Sequence, residues 1–451
     1  MQASVLFARV EDVLGHLLAR EACGAAIVLT VLVLTYVLSA VVPGTKALGY
    51  ALRHDTGAPH EHTLNGLTVL LLIVGAAVAA VREGVLPGDA LVELFWPALR
   101  ASCAVGFGLS VYFYMRGLRL AAAGLIDRRA SCPTYNASAS ITNVASPQKL
   151  AASPRHRSST PRRRRRSASQ RRPRPIVPSS QKPVTAPDTS EFDGRSAVAH
   201  FYCGLSEFNP LGPLGVDVKM WLYLYGATQL QLNLLSAIYA AVHSGAVGYD
   251  VVAYCACLSF FIVEYVWHEE VHLYTYDLFR ERIGLKLVWG CVCFYPYFYC
   301  IGVWPLLRSE ATATEPMSAG LATCIVLLFL FGWVLTRGAN LQKFAVKAGR
   351  PFGCARMTTL PGSRGRILVS GWWGVARHVN YLGEIIQAVA LALPAWVATG
   401  SYMPWLYPLY YVLLFVPRAL DDDAQCRAKY GDRLWGEYVR RVPWLIVPGV
   451  W

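Results

Sequence analysis

Nine runs of mainly apolar residues, each close to the length a helix needs to cross a bilayer, constrain this chain more than any other feature. A spanning helix takes about 20 such residues, and the runs fall at 24–42, 67–81, 91–113, 220–242, 251–267, 285–304, 319–336, 381–397 and 403–416. A different division around 101–123 gives ten. Only 16% of the 451 residues are charged while 55% are hydrophobic, and a soluble domain carries about 25% charge. Too little polar surface remains to wrap a soluble fold of this size. We therefore read an all-α polytopic membrane protein with about nine to ten transmembrane helices in one bundle. Glu11, Asp12 and Arg20 interrupt the first twenty residues, so no cleavable leader is expected and the first run serves as a signal anchor.

The net charge of +14 resembles a nucleic-acid signal until it is located. Ten arginines lie within 155–174, inside a Ser/Pro/Arg/Thr-rich stretch over 128–196, leaving +4 for the rest of the chain. A segment with so few large apolar residues cannot bury enough surface to fold, and a disordered basic insertion is expected. Its arginines are interleaved with serines, so phosphorylation would cancel charge. One expectation is a cytosolic linker without a ligand; the other is contact with anionic lipid or nucleic acid. On the cytosolic side, the sequon at Asn136 would stay unused. The domains expected are N-terminal transmembrane helices (1–127), the insertion (128–196) and a C-terminal core (197–451).

Four groups of residues could carry chemistry. His268-Glu269-Glu270-Val271-His272 fits H-E-x-x-H, in which two histidines one turn apart bind zinc, but no third ligand follows from spacing. Ser370-Gly371-Trp372-Trp373, with Arg377, His378, Asn380 and Tyr381, gathers polar and aromatic groups just before an apolar run. Polar residues at such a density beside a membrane segment mark a functional site. After the last run come Arg418, Asp422, Tyr430 and Tyr438; Arg418 and Asp422 are four apart and could pair on one helix face. Lys343 and Lys347, behind Asn340 and Gln342, suit a phosphate-bearing ligand. Plain anchoring at the membrane interface by Trp, Tyr, Lys and Arg accounts for the last three groups equally well. The twelve cysteines make no CxxC pair and read as small buried hydrophobes. No metal site is expected, and no Gly-rich nucleotide-binding fingerprint is present.

The run Gly371-Trp372-Trp373-Gly374-Val375-Ala376-Arg377-His378-Val379-Asn380-Tyr381-Leu382-Gly383-Glu384 resembles the signature of the integral-membrane sterol reductases, a family that includes Δ14, Δ7 and Δ24(28) sterol reductases and the lamin B receptor. Lys429-Tyr430-Gly431, Arg441-Val442-Pro443, Asn340-Leu341-Gln342-Lys343, Asp217-Val218-Lys219 and Glu207-Phe208-Asn209-Pro210 are similar to further family elements. Leu211 and Cys291 depart from the family pattern.

The resemblance implies a ten-helix bundle of the endoplasmic reticulum membrane that uses NADPH to saturate a sterol double bond, most of all Δ14, with Δ24(28) or Δ7 as alternatives. It implies protonation of the alkene followed by hydride transfer. Tyr299, in Pro296-Tyr297-Phe298-Tyr299, would be the proton donor with Asp277 as helper. Lys343 and Lys347 would hold the 2′-phosphate, and Trp372, Arg377, His378, Asn380, Tyr381, Arg418, Asp422, Tyr430 and Tyr438 would line the dinucleotide pocket. Sterol and membrane lipid are the expected partners. A lamin-B-receptor-like scaffold, binding through the basic insertion, is the alternative of another class.

Overall fold

The computed structural model describes residues 2–52, 59–123, 196–205, 211–245, 247–279, 281–307, 317–353, 357–362 and 365–451. The expected insertion lies outside them but for Ser196, and so do Asn136 and Glu207-Phe208-Asn209-Pro210. The described chain is mainly helical, with two small antiparallel hairpins. Each of the nine apolar runs falls on helix: α1 (Gln2–Val41), α2 (Gly66–Arg82), α3 (Phe95–Ala122), α4 (Val218–His243), α5 (Tyr249–Trp267), the segment Leu285–Leu307, α6 (Ala319–Ala348), α7 (Val379–Thr399) and α8 (Leu406–Tyr430). Six of these are long and apolar enough to cross a membrane; α2 is shorter, and α4 and α8 fall outside the six. Outward-facing Leu29, Val33, Leu72, Leu327, Phe331 and Leu413 are exposed, as a lipid-facing surface requires, because only a helix satisfies its own backbone in hydrocarbon. The protein is a multi-pass membrane protein.

Local chemistry sets the helix ends. Asp217 accepts from the Met220 amide at 3.0 Å and starts α4, satisfying one of the donors a helix start leaves without a partner. Asp217 also meets His62 of the first hairpin at 3.3 Å, tying strand Pro59–Leu64 to the start of α4. Ser318 caps α6 in the same way, and Gly349, at φ +66°, closes it in the left-handed conformation that glycine takes without strain. Helix α4 is buried along nearly all its length, polar residues included, which places it at the centre of the bundle.

The run expected as one helix over 285–304 is broken instead. Leu285–Trp289 is α-helical, Gly290–Phe298 widens to a π-helix containing Pro296, and Val303–Leu307 resumes after a turn. Proline has no amide hydrogen and its ring crowds the carbonyl one turn back, so the ladder opens there. The Asn233 side chain of α4 donates to the Pro296 carbonyl at 2.8 Å. Such widened turns recur at functional sites, and this one presents Tyr295 and Tyr299.

Helices α6 and α7 approach each other closely. A methyl group at Gly383 would sit 2.3 Å from Thr336 Oγ1 and 2.5 Å from the Gly332 carbonyl. Glycine there lets the two helices touch through their backbones and brings Arg337 and Asn340 of one beside Asn380 and Glu384 of the other.

Candidate active site

A cavity of about 230 Å³ opens between α5, α6, α7, α8 and the π-helical segment. One part of its wall is polar: Glu264, His272, Asp277, Arg337, Asn340, Lys343, His378, Asn380, Arg418 and Asp422. The other is aromatic: Phe261, Tyr265, Phe294, Tyr295, Tyr299, Tyr410, Tyr411 and Phe415. A concave pocket with an apolar body and a few convergent polar groups is the usual form of a small-molecule site.

Buried charges hold the polar wall in place. Lys219 is fully buried and donates to the carbonyls of Asp277 and Leu278, each at 3.0 Å, and to that of Glu281. The lysine of the Asp-x-Lys element thus fixes the loop that carries Asp277. Arg418 reaches across from α8 to Asp277 at 2.5 Å and Glu281 at 3.0 Å, with its guanidinium 4.7 Å from the Tyr276 ring. Burial works against the charge on Asp277, but Arg418 beside it prevails and holds the carboxyl below its usual range. Asp277 is therefore an ionised anchor for Arg418 more than a proton source. The pairing of Arg418 with Asp422 expected from their spacing is not formed; partners 141 and 137 positions away outcompete the one a single turn off.

A second pair spans α5 and α6. Arg337 clamps Glu264 through Nε and, at 2.7 Å, through Nη2, and His268 Nδ1 lies 3.2 Å from the same carboxylate. His272 stacks on Tyr265 with centroids 3.8 Å apart. Desolvation, with Arg337 nearby, pushes His272 down to about 3, so its ring is neutral at pH 7. The H-E-x-x-H residues are thereby dispersed: His268 bonds to Glu264, both Glu269 oxygens accept from the Gly66 amide at 3.1 Å, and Glu270 pairs with Arg350. No group of three potential ligands forms among the described residues.

Of the residues singled out in the sequence, the cavity brings together Asp277, Tyr299, Lys343, His378, Asn380, Tyr381, Arg418 and Asp422. His378, Tyr381 and Phe415 form a near-parallel stack, with centroids 4.9 and 4.5 Å apart; burial takes His378 down to about 4. Lys343 sits 4.9 Å from the Trp373 ring. Five expected residues do not line the cavity. Lys347 donates to the Tyr274 carbonyl at 3.3 Å. Arg377 pairs with Asp423 at 3.0 Å and donates to the carbonyls of Val442 and Pro443, anchoring the C-terminal segment. Trp372 packs over Gly338, and its neighbour Trp373 faces the cavity. The chain turns just before the two indoles at Gly371, φ +64°. Tyr430 stacks near Trp435, and Tyr438 donates to the Trp373 carbonyl at 3.3 Å, so both support the wall from behind. Sequence reasoning passed over Glu264, although a lone charge inside an apolar run is itself a signal, and it gave no site role to Arg337 or Glu384.

The arrangement, an aromatic slot meeting a ring of fixed charges deep in a helical membrane bundle, defines a membrane-embedded small-molecule site, and it lies within the part of the chain that matches known proteins. The chain belongs to the ergosterol biosynthesis ERG4/ERG24 family, whose pattern it matches over residues 189–451. It is 34% identical over 245 residues, covering 53% of this chain and 62% of the relative, to an Arabidopsis thaliana protein named Delta(14)-sterol reductase. It is 38% identical over 194 residues, 42% and 44% of the two chains, to the Mus musculus Delta(14)-sterol reductase TM7SF2. A probable 7-dehydrocholesterol reductase of Acanthamoeba polyphaga mimivirus is 28% identical over 254 residues, 54% and 55% of the chains. The chain spans about half the length of the relatives it matches.

Proposed function

We propose that this protein is an NADPH-dependent sterol reductase that saturates the Δ14 double bond of a sterol intermediate, with Δ24(28) or Δ7 reduction as the alternatives within the same chemistry. The observation that carries the reading is a single cavity joining Lys343, Asn380 and Arg418 to Tyr299, Tyr411 and Phe415. Family membership and the names of the relatives support the substrate class.

The wall fits the nicotinamide end of such a cofactor. Asn380 Oδ1 and Arg337 Nη1 are buried without hydrogen-bond partners among the described residues, and buried polar atoms left without partners cost about 1–3 kcal/mol each; a bound carboxamide would satisfy them. Lys343 is in no ion pair among the described residues and is available to a phosphate, with Lys347 one turn further along α6. His378, Asn380, Tyr381, Arg418 and Asp422 would surround the dinucleotide, while Trp372, Arg377, Tyr430 and Tyr438 hold the wall they stand on. Bound NADPH supplies hydride. The chain's own task is to hold a flat apolar ring against the aromatic wall, exclude water, and deliver a proton from the Tyr299 hydroxyl to one alkene carbon, leaving the cationic carbon to accept hydride.

We further propose that α2, α4 and α8 cross the membrane with the six longer spans, giving nine crossings, or ten with a further helix, in the endoplasmic reticulum. At 17 residues, α2 is about 26 Å long, close to the thickness of a hydrocarbon core. Sterol and membrane lipid are the partners in this reading, and NADPH the cofactor. The scaffold alternative rests on residues 155–174, outside the described residues. The sterol profile of cells lacking the protein tests the reading: accumulated Δ14 sterols support it, Δ24(28) or Δ7 species move the substrate, and an unchanged profile contradicts it.

A further inference from the structure

Tyr299 can protonate an alkene once, and every later turnover needs the proton replaced. The structure places a donor chain behind it. Tyr407 donates to the Tyr411 hydroxyl at 2.9 Å. A phenol has one hydrogen to give, so Tyr411, already accepting from Tyr407, turns its own proton elsewhere. Tyr411 lines the same cavity as Tyr299 and Glu384, and the side chains of both interact with it. The three phenol rings form one cluster: Tyr299 is 4.6 Å from Tyr407 and 5.7 Å from Tyr411 between centroids. Tyr299 is itself held from behind, because Tyr254 donates to its carbonyl at 3.0 Å.

Glu384 is the unusual member. The other buried acid at this level, Glu264, is clamped by Arg337. Glu384 is in no ion pair among the described residues, lines the same cavity, and leaves Oε2 buried without a hydrogen-bond partner. A carboxylate locked to a guanidinium has no proton to pass on; the guanidinium nearest Glu384, that of Arg337, is committed to Glu264, and a buried acid without an ion pair of its own favours the protonated form.

We propose that Glu384 and Tyr411 form the relay that recharges Tyr299 between turnovers. This rests on the reductase reading, in which Tyr299 is the proton donor. The steps balance. The Tyr299 O–H bond breaks as a C–H bond forms at one alkene carbon, and the adjacent cationic carbon would take the hydride that NADPH supplies when bound. The Tyr299 phenolate takes the Tyr411 proton, Tyr411 takes the Glu384 proton, and the Glu384 carboxylate is reprotonated from water. Glu384 and Tyr411 act through Tyr299 and touch no reacting atom, so they are positioning residues for the proton.

The relay separates the first turnover from those that follow, which a structural role does not. Full-length wild type, Tyr411→Phe, Glu384→Gln and Glu384→Asp are purified in lipid–detergent micelles and mixed rapidly with NADPH and a Δ14-unsaturated sterol, and cofactor oxidation is followed from the first turnover into steady state. In Tyr411→Phe and Glu384→Gln, whatever the rate of the first turnover, the expected result is steady-state turnover at least tenfold slower than that variant's own first turnover, a gap that wild type does not show. The slow phase should carry a larger solvent deuterium effect than wild type, and Glu384→Asp should recover most of the steady-state rate. First and later turnovers slowed alike, or steady state unchanged in both variants, would overturn the relay alone. Wild type that oxidises no NADPH with Δ14, Δ7 or Δ24(28) sterols would overturn the reductase reading and the relay with it. Thermal unfolding of each variant, expected within a few degrees of wild type, separates a slow enzyme from a misfolded one.

Discussion

The Arg337–Glu264 pair offers the most quantitative test of how the cavity is held. Both side chains are nearly buried, at 7% and 9% exposure. The guanidinium engages both carboxylate oxygens, and His268 adds a third contact at 3.2 Å. Removing one partner of such a pair leaves a buried charge uncompensated, which costs about 3–5 kcal/mol, whereas replacing both with apolar or neutral groups of similar volume is close to neutral. Arg337→Met should therefore lose about 3–5 kcal/mol. The double variant with Glu264→Gln should recover at least about 2 kcal/mol of that loss, since its amide no longer needs a counter-charge. The assay is a double-mutant cycle on reversible unfolding in lipid–detergent micelles, titrated with sodium dodecyl sulfate and followed by tryptophan fluorescence. A single-variant loss below about 1 kcal/mol, or a double variant no better than Arg337→Met, would refute the claim that this pair braces α5 against α6.

Three further outcomes are expected. Lys343→Ala should raise the KM for NADPH about tenfold or more, the worth of one charge-assisted hydrogen bond, with little change for NADH; equal effects on both cofactors would remove the phosphate role. Tyr299→Phe keeps the ring and removes the proton, so kcat should fall about a hundredfold while NADPH binding, read by its fluorescence, is retained; unchanged turnover removes Tyr299 as donor. His272 and His378 are neutral in the fold, pushed down by desolvation to about 3 and about 4, and titrate near 6.5 once unfolded. The unfolded chain then binds more protons below pH 6.5, so stability is full above that pH and falls as the pH drops toward 4, by about 1 kcal/mol per unit per group. Glu269 acts in the opposite sense, since burial raises it to about 7 and its stabilisation fades as the pH rises through that value. His272→Phe, which keeps the stack on Tyr265, should flatten the acid limb, and an unaltered limb would exclude His272 from it.

What could be seen in advance was local in sequence. Lys343, His378, Asn380 and Tyr381 lie in short motifs, and the structure places all four on one cavity wall because α6 and α7 touch through Gly332 and Gly383. What could not be seen was long-range or rotational. Helical spacing pointed Arg418 at Asp422, but a loop far upstream, pinned by buried Lys219, supplies Asp277 and Glu281. Adjacent indoles at Trp372 and Trp373 are equivalent in a sequence, and only the folded chain shows that Trp373 is the one on the cavity wall. Arg377 and Tyr438 sit in strong motifs for a different reason, since they dock the C-terminal segment onto the wall. Glu264 was legible and passed over: one acid within the apolar run 251–267 is costly enough in a bilayer to demand a partner, and Arg337 is that partner.

The fate of the transferred hydride distinguishes a sterol reductase from a protein that only binds sterol. Purified protein is incubated with NADPH carrying deuterium at the transferable position and a Δ14-unsaturated sterol, and the product is analysed by gas chromatography with mass detection. The expected product is a sterol saturated at the Δ14 bond with one deuterium on one former alkene carbon and a solvent-derived hydrogen on the other. No deuterated product from Δ14, Δ7 or Δ24(28) sterols, under conditions where the protein is folded, would contradict the reductase reading.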